Sequence, residues 1–244
     1  NIFGGNINVG GSINIGTVKQ ASNLVTINQP IMPSENLASK HIILTLASSP
    51  INEARLRLDK EVREIKNVLR LAKQGSNFSL EQREAVRPDD LQDALLDVEP
   101  EIVHFGGHGT GVDGLALENE VGETQLVSTN ALVRLFKLVK SHVQCVILNA
   151  CYSEVQAKAI NEHIEYVIGM KQAIGDAAAI NFSKGFYRAL GNNKSIKEAF
   201  EFGCNAIDLQ SLPDYLTPIL LKNVVSAKAV SGHALLRKNS KPVQ

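Results

Sequence analysis

Two periodicities divide this chain. Through the first twenty residues, NIFGGNINVGGSINIGTVKQ, the apolar Phe3, Ile7, Val9, Ile13 and Ile15 fall at odd positions and Asn6, Asn8 and Asn14 at even ones. That period of two is the signature of a strand. Ile7-Asn8-Val9-Gly10 and Ile13-Asn14-Ile15-Gly16 form a quasi-repeat around Gly11-Ser12, which predicts two short strands joined by glycine turns. From Ala21 to Lys40 the chain turns polar and carries Pro30, Pro33 and Ser34, the composition of a linker.

From His41 onward apolar runs alternate with amphipathic stretches. HIILTLAS at 41–48 is a continuous apolar run closed by Ser49-Pro50, as expected of a strand buried on both faces. Asn52 is placed to cap a helix that carries Ala54, Leu56, Leu58, Val62, Ile65, Val68, Leu69 and Leu71 among charges and stops at Gly75. The pattern then predicts a strand at 78–86, a short helix opened by Pro88, a strand EIVHF at 101–105 and a hairpin around Gly122 over 115–128. A helix from Thr129 or Asn130, a strand VQCVILNA at 143–150, a helix at 154–162 and a strand YVIGM at 166–170 follow. Helices from Asp176 to Leu190 and from Ser195 to about Ile207, then the strand-like LTPILLKNVV, complete the body. Such alternation implies an α/β fold, a mainly parallel sheet sandwiched by helices. The predicted division is an assembly tract at 1–20, a linker at 21–40 and one domain at 41–244.

Charge changes this picture only when it is divided by segment. Lys and Arg number 25 and Asp and Glu 25, so the formal charge is zero; a general nucleic-acid-coating or membrane-surface role is not expected of a chain with no broad field. Residues 1–34 nevertheless contain a single charged side chain, Lys19, while Glu53 to Glu101 alternate acids and bases densely; the charged helix at 53–74 has the pattern of a solvated face. Three cysteines, Cys145, Cys151 and Cys204, argue against a disulfide framework and for a reducing compartment. No apolar run reaches the length of a membrane span and no secretory leader is visible, so a cytoplasmic location is the expectation. The chain starts at Asn1 and not at Met, so an upstream piece is expected.

Two places break the local rules in the same way. EIVHF runs into Gly106-Gly107-His108-Gly109, and VILNA delivers Cys151: each is a buried-type strand followed by small residues and one reactive side chain. Ligands of open α/β sheets sit beyond the carboxyl ends of the strands, so His108 and Cys151 would meet there if their strands are neighbours. A thiol is only a few per cent ionised near neutral pH; an adjacent imidazole raises the thiolate population and later protonates a leaving amine. The amides of Gly109 and Cys151 are candidates for an oxyanion hole. Asp113 and Glu118, in the loop and hairpin after His108, are candidates for the substrate cleft, with solvated loop acids as the plainer account. A buried strand-end cysteine and a turn histidine remain the plain accounts of Cys151 and His108.

Three blocks, HFGGHG at 104–109, ILNACYS at 147–153 and DAAAINFSKGFYRAL at 176–190, resemble the CHAT domain family, caspase-like peptidases of the caspase, separase and legumain clan. The resemblance covers roughly residues 41–208 with the blocks in the family's order. It implies a caspase-hemoglobinase-like three-layer sandwich and a cysteine endopeptidase acting on protein substrates, with Cys151 as nucleophile, His108 as base and acid, and no cofactor. The residue two before the nucleophile often shapes the specificity pocket in this clan and is acidic in several branches. Here it is Asn149, which becomes a pocket candidate and weakens the expectation of a basic residue before the scissile bond.

The uncharged tract at 1–20 resembles the short amyloid signalling motifs at the ends of bacterial and fungal effector proteins. In-register stacking of β-prone strands and Asn ladders is the physics of such motifs, and their partner motifs usually occur on NLR-like receptors. The joint expectation is a bacterial defence or cell-death effector activated by assembly of its N-terminal tract. A catalytically silent caspase-like scaffold that acts through self-assembly is the competing class. His104-x-x-x-His108 lacks further ligands for zinc, so no metal is expected; GGHGTG is not a complete dinucleotide fingerprint. Asp176 reads as a helix cap before it reads as a catalytic acid.

Overall fold

In the computed structural model, which describes residues 40–223, each apolar run from His41 onward becomes a strand. The order is β1 (His41–Ala47), α1 (Leu58–Leu71), β2 (Phe78–Arg83), α2 (Pro88–Val98), β3 (Ile102–Gly106), β4 (His108–Gly109), β5 (Leu115–Glu118) and β6 (Thr124–Val127). Then come α3 (Thr129–Val139), β7 (Cys145–Asn149), α4 (Glu154–Ile160), β8 (Tyr166–Met170), α5 (Asp176–Leu190), α6 (Ile196–Asp208) and β9 (Pro218–Lys222). The tract at 1–20, the linker before Lys40 and the segment after Asn223 lie outside the described residues.

A six-stranded sheet runs in the order β2-β1-β3-β7-β8-β9. Its neighbours are parallel except β9, which is antiparallel to β8. Successive side chains of each strand go to opposite faces, and both faces are apolar. Leu44, Leu46, Val103, Phe105, Val146 and Leu148 pack with Leu91 and Leu95 of α2, Leu132 and Phe136 of α3, and Ile160 of α4. Ile43, Ile102, Ile147, Ile168 and Met170 pack on the other side with Ile65 and Val68 of α1, Phe182 and Phe186 of α5, and Ile196 of α6. The result is the predicted three-layer sandwich. None of the described helices is long and apolar enough to cross a membrane.

Local sequence explains the starts of two helices. Ser195 and Glu198 form a reciprocal capping box at α6, and the Ser128 hydroxyl accepts the Ala131 N–H at α3. Two expected caps are corrected. α1 starts at Leu58, six residues after Asn52, because 48–57 leaves the sheet as a loop tied to the β5–β6 hairpin: Ile51 donates to the Gly122 carbonyl at 2.9 Å, and Asn52 Oδ1 accepts the N–H and hydroxyl of Thr124 at 2.9 and 3.0 Å. Asp176 is the first helical residue of α5, with Gly175 at the cap position; its carboxylate receives the Arg57 N–H at 3.1 Å and the Arg57 guanidinium.

A second, antiparallel sheet, β4-β5-β6, stands at the carboxyl edge of the first. Its hairpin turns at Gly122, whose φ of 82° is in the left-handed region that glycine adopts without strain. The two-residue β4, unforeseen in the sequence, holds His108 opposite Ala116.

Candidate active site

The register of β3 and β7 decides where the two reactive side chains emerge. The strands are parallel with Gly106 opposite Asn149, and the ladder continues as Gly107 N–H donates to the Asn149 carbonyl at 3.5 Å. His108 and Cys151 each lie two residues beyond the Gly106–Asn149 rung, so they leave the same edge side by side. Their main chains are in contact: a Cβ on Gly109 would fall 2.1 Å from the Cys151 carbonyl oxygen.

Cys151 sits on a tight turn between β7 and α4. Ser153, fully buried, clamps that turn by donating to the Leu148 carbonyl at 2.9 Å and accepting the Met170 N–H at 3.0 Å. Tyr152 has φ 53°, a left-handed conformation costly for a side chain of its size and typical of sites where geometry is held under strain. The thiol is half-buried and faces the segment before α5: Ile174 N–H donates to Sγ at 3.5 Å, and Sγ lies 3.8 Å from the Ile174 carbonyl.

His108 Nε2 lies 2.7 Å from the Ala54 carbonyl. A carbonyl only accepts, so Nε2 carries the hydrogen, and in the neutral ring Nδ1 is the lone-pair nitrogen. The Ala54 oxygen thus fixes both tautomer and ring orientation, the part a third group plays in a nucleophile–base–orienter set. No hydrogen bond joins His108 to Cys151 among the described residues: each is engaged elsewhere. The other two thiols are poor nucleophiles. Burial pushes the Cys145 thiol far up, and burial with the neighbouring Glu201 pushes Cys204 up to about 12.

Directly beneath the pair lies a polar cluster between sheet and helices. Glu61 of α1 is 4% exposed, and its Oε1 accepts from Asn149 Nδ2 and the Ser183 hydroxyl, both at 2.6 Å, and pairs with His104 Nε2 at 3.0 Å. His104 Nδ1 is 3.2 Å from the Tyr187 hydroxyl. Burial holds that phenol well above its ordinary range, so it stays protonated.

The pocket candidates separate. Asn149 is 5% exposed and its amide is committed to Glu61, Ser183 and the Ala179 carbonyl; it faces inward at the end of β7, two residues before Cys151. Asp113 is exposed on a 3-10 turn over Gly111–Asp113. Glu118 does line a cleft, of about 460 Å³, with Glu53, Arg55, Asp59 and Glu84 around it, and accepts the Ser49 N–H at 3.0 Å. Glu53 and Arg55 flank Ala54, so the cleft borders the loop that orients His108. Among the described residues no group of three His, Cys, Asp or Glu side chains is arranged to hold a metal ion.

Sequence reasoning missed Ala54, Glu61 and Gln156. Ala54 acts through its main chain and leaves no side-chain signal. Glu61 falls within the charged helix that reads as a solvated face, yet its place beside Val62 and Ile65 on the buried stripe of α1 is a visible cue. Gln156, fully buried, donates to the Gly111 carbonyl at 2.6 Å and to Thr129 at 2.9 Å, fastening the loop after Gly109 to α4.

The CHAT domain family matches residues 17–201, beginning within the N-terminal tract. A Roc-COR-CHAT protease from an unknown prokaryotic organism is 27% identical over 195 residues, 74% of this chain and 18% of that protein. A probable protease of Gillisia limnaea is 28% identical over 173 residues, 69% of this chain and 31% of that protein. The chain therefore spans less than a third of either relative. Among solved structures, the Arg specific cysteine proteinase gingipain R aligns with a TM-score of 0.51 at 12% identity, over 76% of this chain and 49% of its own. The Drosophila initiator caspase Dronc aligns with a TM-score of 0.49 at 12% identity, over 87% of this chain and 92% of its own. The fold is the caspase-like α/β sandwich expected from the sequence.

Proposed function

This chain belongs to the CHAT domain family, and on that premise we propose that it is a caspase-like cysteine endopeptidase using Cys151 and His108. The observation that carries the proposal is the shared offset of the two side chains beyond one rung of β3 and β7. His108 Nδ1 takes the thiol proton, and the thiolate attacks the scissile carbonyl. The amides of Gly109 and Cys151 hold the oxyanion, and the imidazolium protonates the leaving amine. Water, deprotonated by the same imidazole, then hydrolyses the thioester. Closing the pair needs the thiol to leave Ile174. The Glu118 cleft, whose lining residues include neither His108 nor Cys151, carries four carboxylates against one guanidinium, which favours a basic side chain where substrate crosses it; Asn149, turned inward, does not oppose such a preference.

Labelling with a thiol-reactive peptide probe, followed by N-terminal profiling of a proteome cleaved by the protein, tests this reading. Labelling is expected at Cys151, to weaken in His108→Ala, and to accompany cleavage sites enriched in Lys or Arg. Modification confined to Cys145 or Cys204, with no new protein N-termini, would favour the silent scaffold.

We also propose that residues 1–20 bring copies of the chain together, or to an NLR-like receptor, and so switch on a defence effector by local concentration. The support is the uncharged period-two pattern of the tract. A synthetic peptide of residues 1–20 is expected to form seedable fibres with cross-β diffraction. A peptide that stays monomeric at millimolar concentration removes this assembly step and leaves the protease proposal standing.

A further inference from the structure

A carboxylate buried to 4% exposure under a reactive pair needs a reason, because a charge there is tolerated only when hydrogen bonds replace its water. Glu61 is reached by donors from β7, β3 and α5. Asn149 ends β7, two residues before Cys151; His104 lies in β3, four residues before His108; Ser183 belongs to α5, and Tyr187 one turn on extends the cluster through His104. The other oxygen, Oε2, lies tight against Gly106, where an added Cβ would come within 3.1 Å, and Gly106 is the last paired residue before His108. One carboxylate thus touches the final rung of both strands, Gly106 on one side and Asn149 on the other. Asn149 is also held by the Ser183 hydroxyl and the Ala179 carbonyl, but of these three partners only Glu61 also lies against Gly106.

We propose that Glu61 is a positioning residue of the protease reading above, holding the His108 and Cys151 strand ends at the separation in which the imidazole can accept the thiol proton. It touches no substrate and acts only through Gly106 and Asn149. Reactions of positioned groups are steep in distance, with displacements near 1 Å costing about a hundredfold, and buried networks are stiff because each member polarises the next. Loosening one member is therefore expected to reach the pair without unfolding the sheet.

The experiment is the rate of Cys151 alkylation by iodoacetamide from pH 5 to 10, read at Cys151 by mass spectrometry on the full chain. Wild type, Glu61→Gln, His108→Ala and the double variant are compared. Glu61→Gln is expected to react about tenfold more slowly at pH 7 and to reach the wild-type plateau at high pH, where the thiol ionises unaided. The double variant should match His108→Ala within twofold, because a brace acting through the base has no effect once the base is gone. Ser183→Ala, which removes one donor and buries no new polar atom, should show about a threefold loss and serves if Glu61→Gln does not fold. A wild-type profile in either folded variant, a lowered plateau, or a full Glu61→Gln loss persisting in His108→Ala overturns the inference while the dyad stands. A His108→Ala profile equal to wild type overturns both.

Discussion

Cys151→Ala is expected to lower peptide-bond cleavage by at least about 10⁴-fold, to background, because the covalent route disappears with the thiol. His108→Ala should cost about 10²- to 10⁴-fold, the range for loss of a general acid–base, and the remaining rate should climb with pH as the thiol ionises without help. The losses should not multiply: the double variant is expected to be as inactive as Cys151→Ala alone. Turnover on a peptide taken from a profiled cleavage site measures all three. A His108→Ala chain turning over like wild type would eliminate the base from the mechanism. Both side chains are half-buried and sit at the sheet edge, outside both apolar clusters, so melting temperatures should change little and the rate effects can be read as chemistry.

Gly109→Ala is expected to be nearly as damaging, for a different reason. Its added methyl would fall 2.1 Å from the Cys151 carbonyl oxygen and 3.3 Å from Ala150 Cβ. The carbonyl belongs to the turn clamped by Ser153 and cannot yield as a flexible side chain would. Relief must come from moving β4 or the nucleophile turn, and either shift withdraws an amide assigned to the oxyanion. Losing one such donor costs about 10²- to 10³-fold in turnover, and the clash should lower the melting temperature as well. Steady-state rates and thermal melts of Gly109→Ala check this; an undiminished turnover would place the oxyanion elsewhere.

The parts of this structure that the sequence made legible are those written in side-chain periodicity. Ile43 and Leu44, or Val146 and Ile147, point to opposite layers as adjacent residues of a doubly buried strand must, and α5 runs from Asp176 to Leu190 as its apolar stripe indicates. The juxtaposition of His108 and Cys151 was legible as well, because a parallel sheet gathers the ends of neighbouring strands on one edge. Tertiary partners were not. Asn52 has the chemistry of a cap, yet Thr124, 72 residues away, receives it. The family resemblance makes Asn149 a pocket candidate, yet Glu61, 88 residues earlier, draws it inward. β4, two residues long, is too short to show any period.

The oxygen that orients His108 belongs to the main chain, and this governs how the region tolerates change over generations. Every residue type at position 54 presents the same carbonyl, so substitution there leaves the contact to His108 in place. Length is another matter. Ser49 is fastened to Glu118 and Arg57 to Asp176, so one residue gained or lost between those anchors would carry the carbonyl out of reach of the imidazole. Among descendants of this chain the loop is expected to drift in its letters while keeping its count, a constraint that a comparison of residue identities would overlook and a comparison of gaps would find.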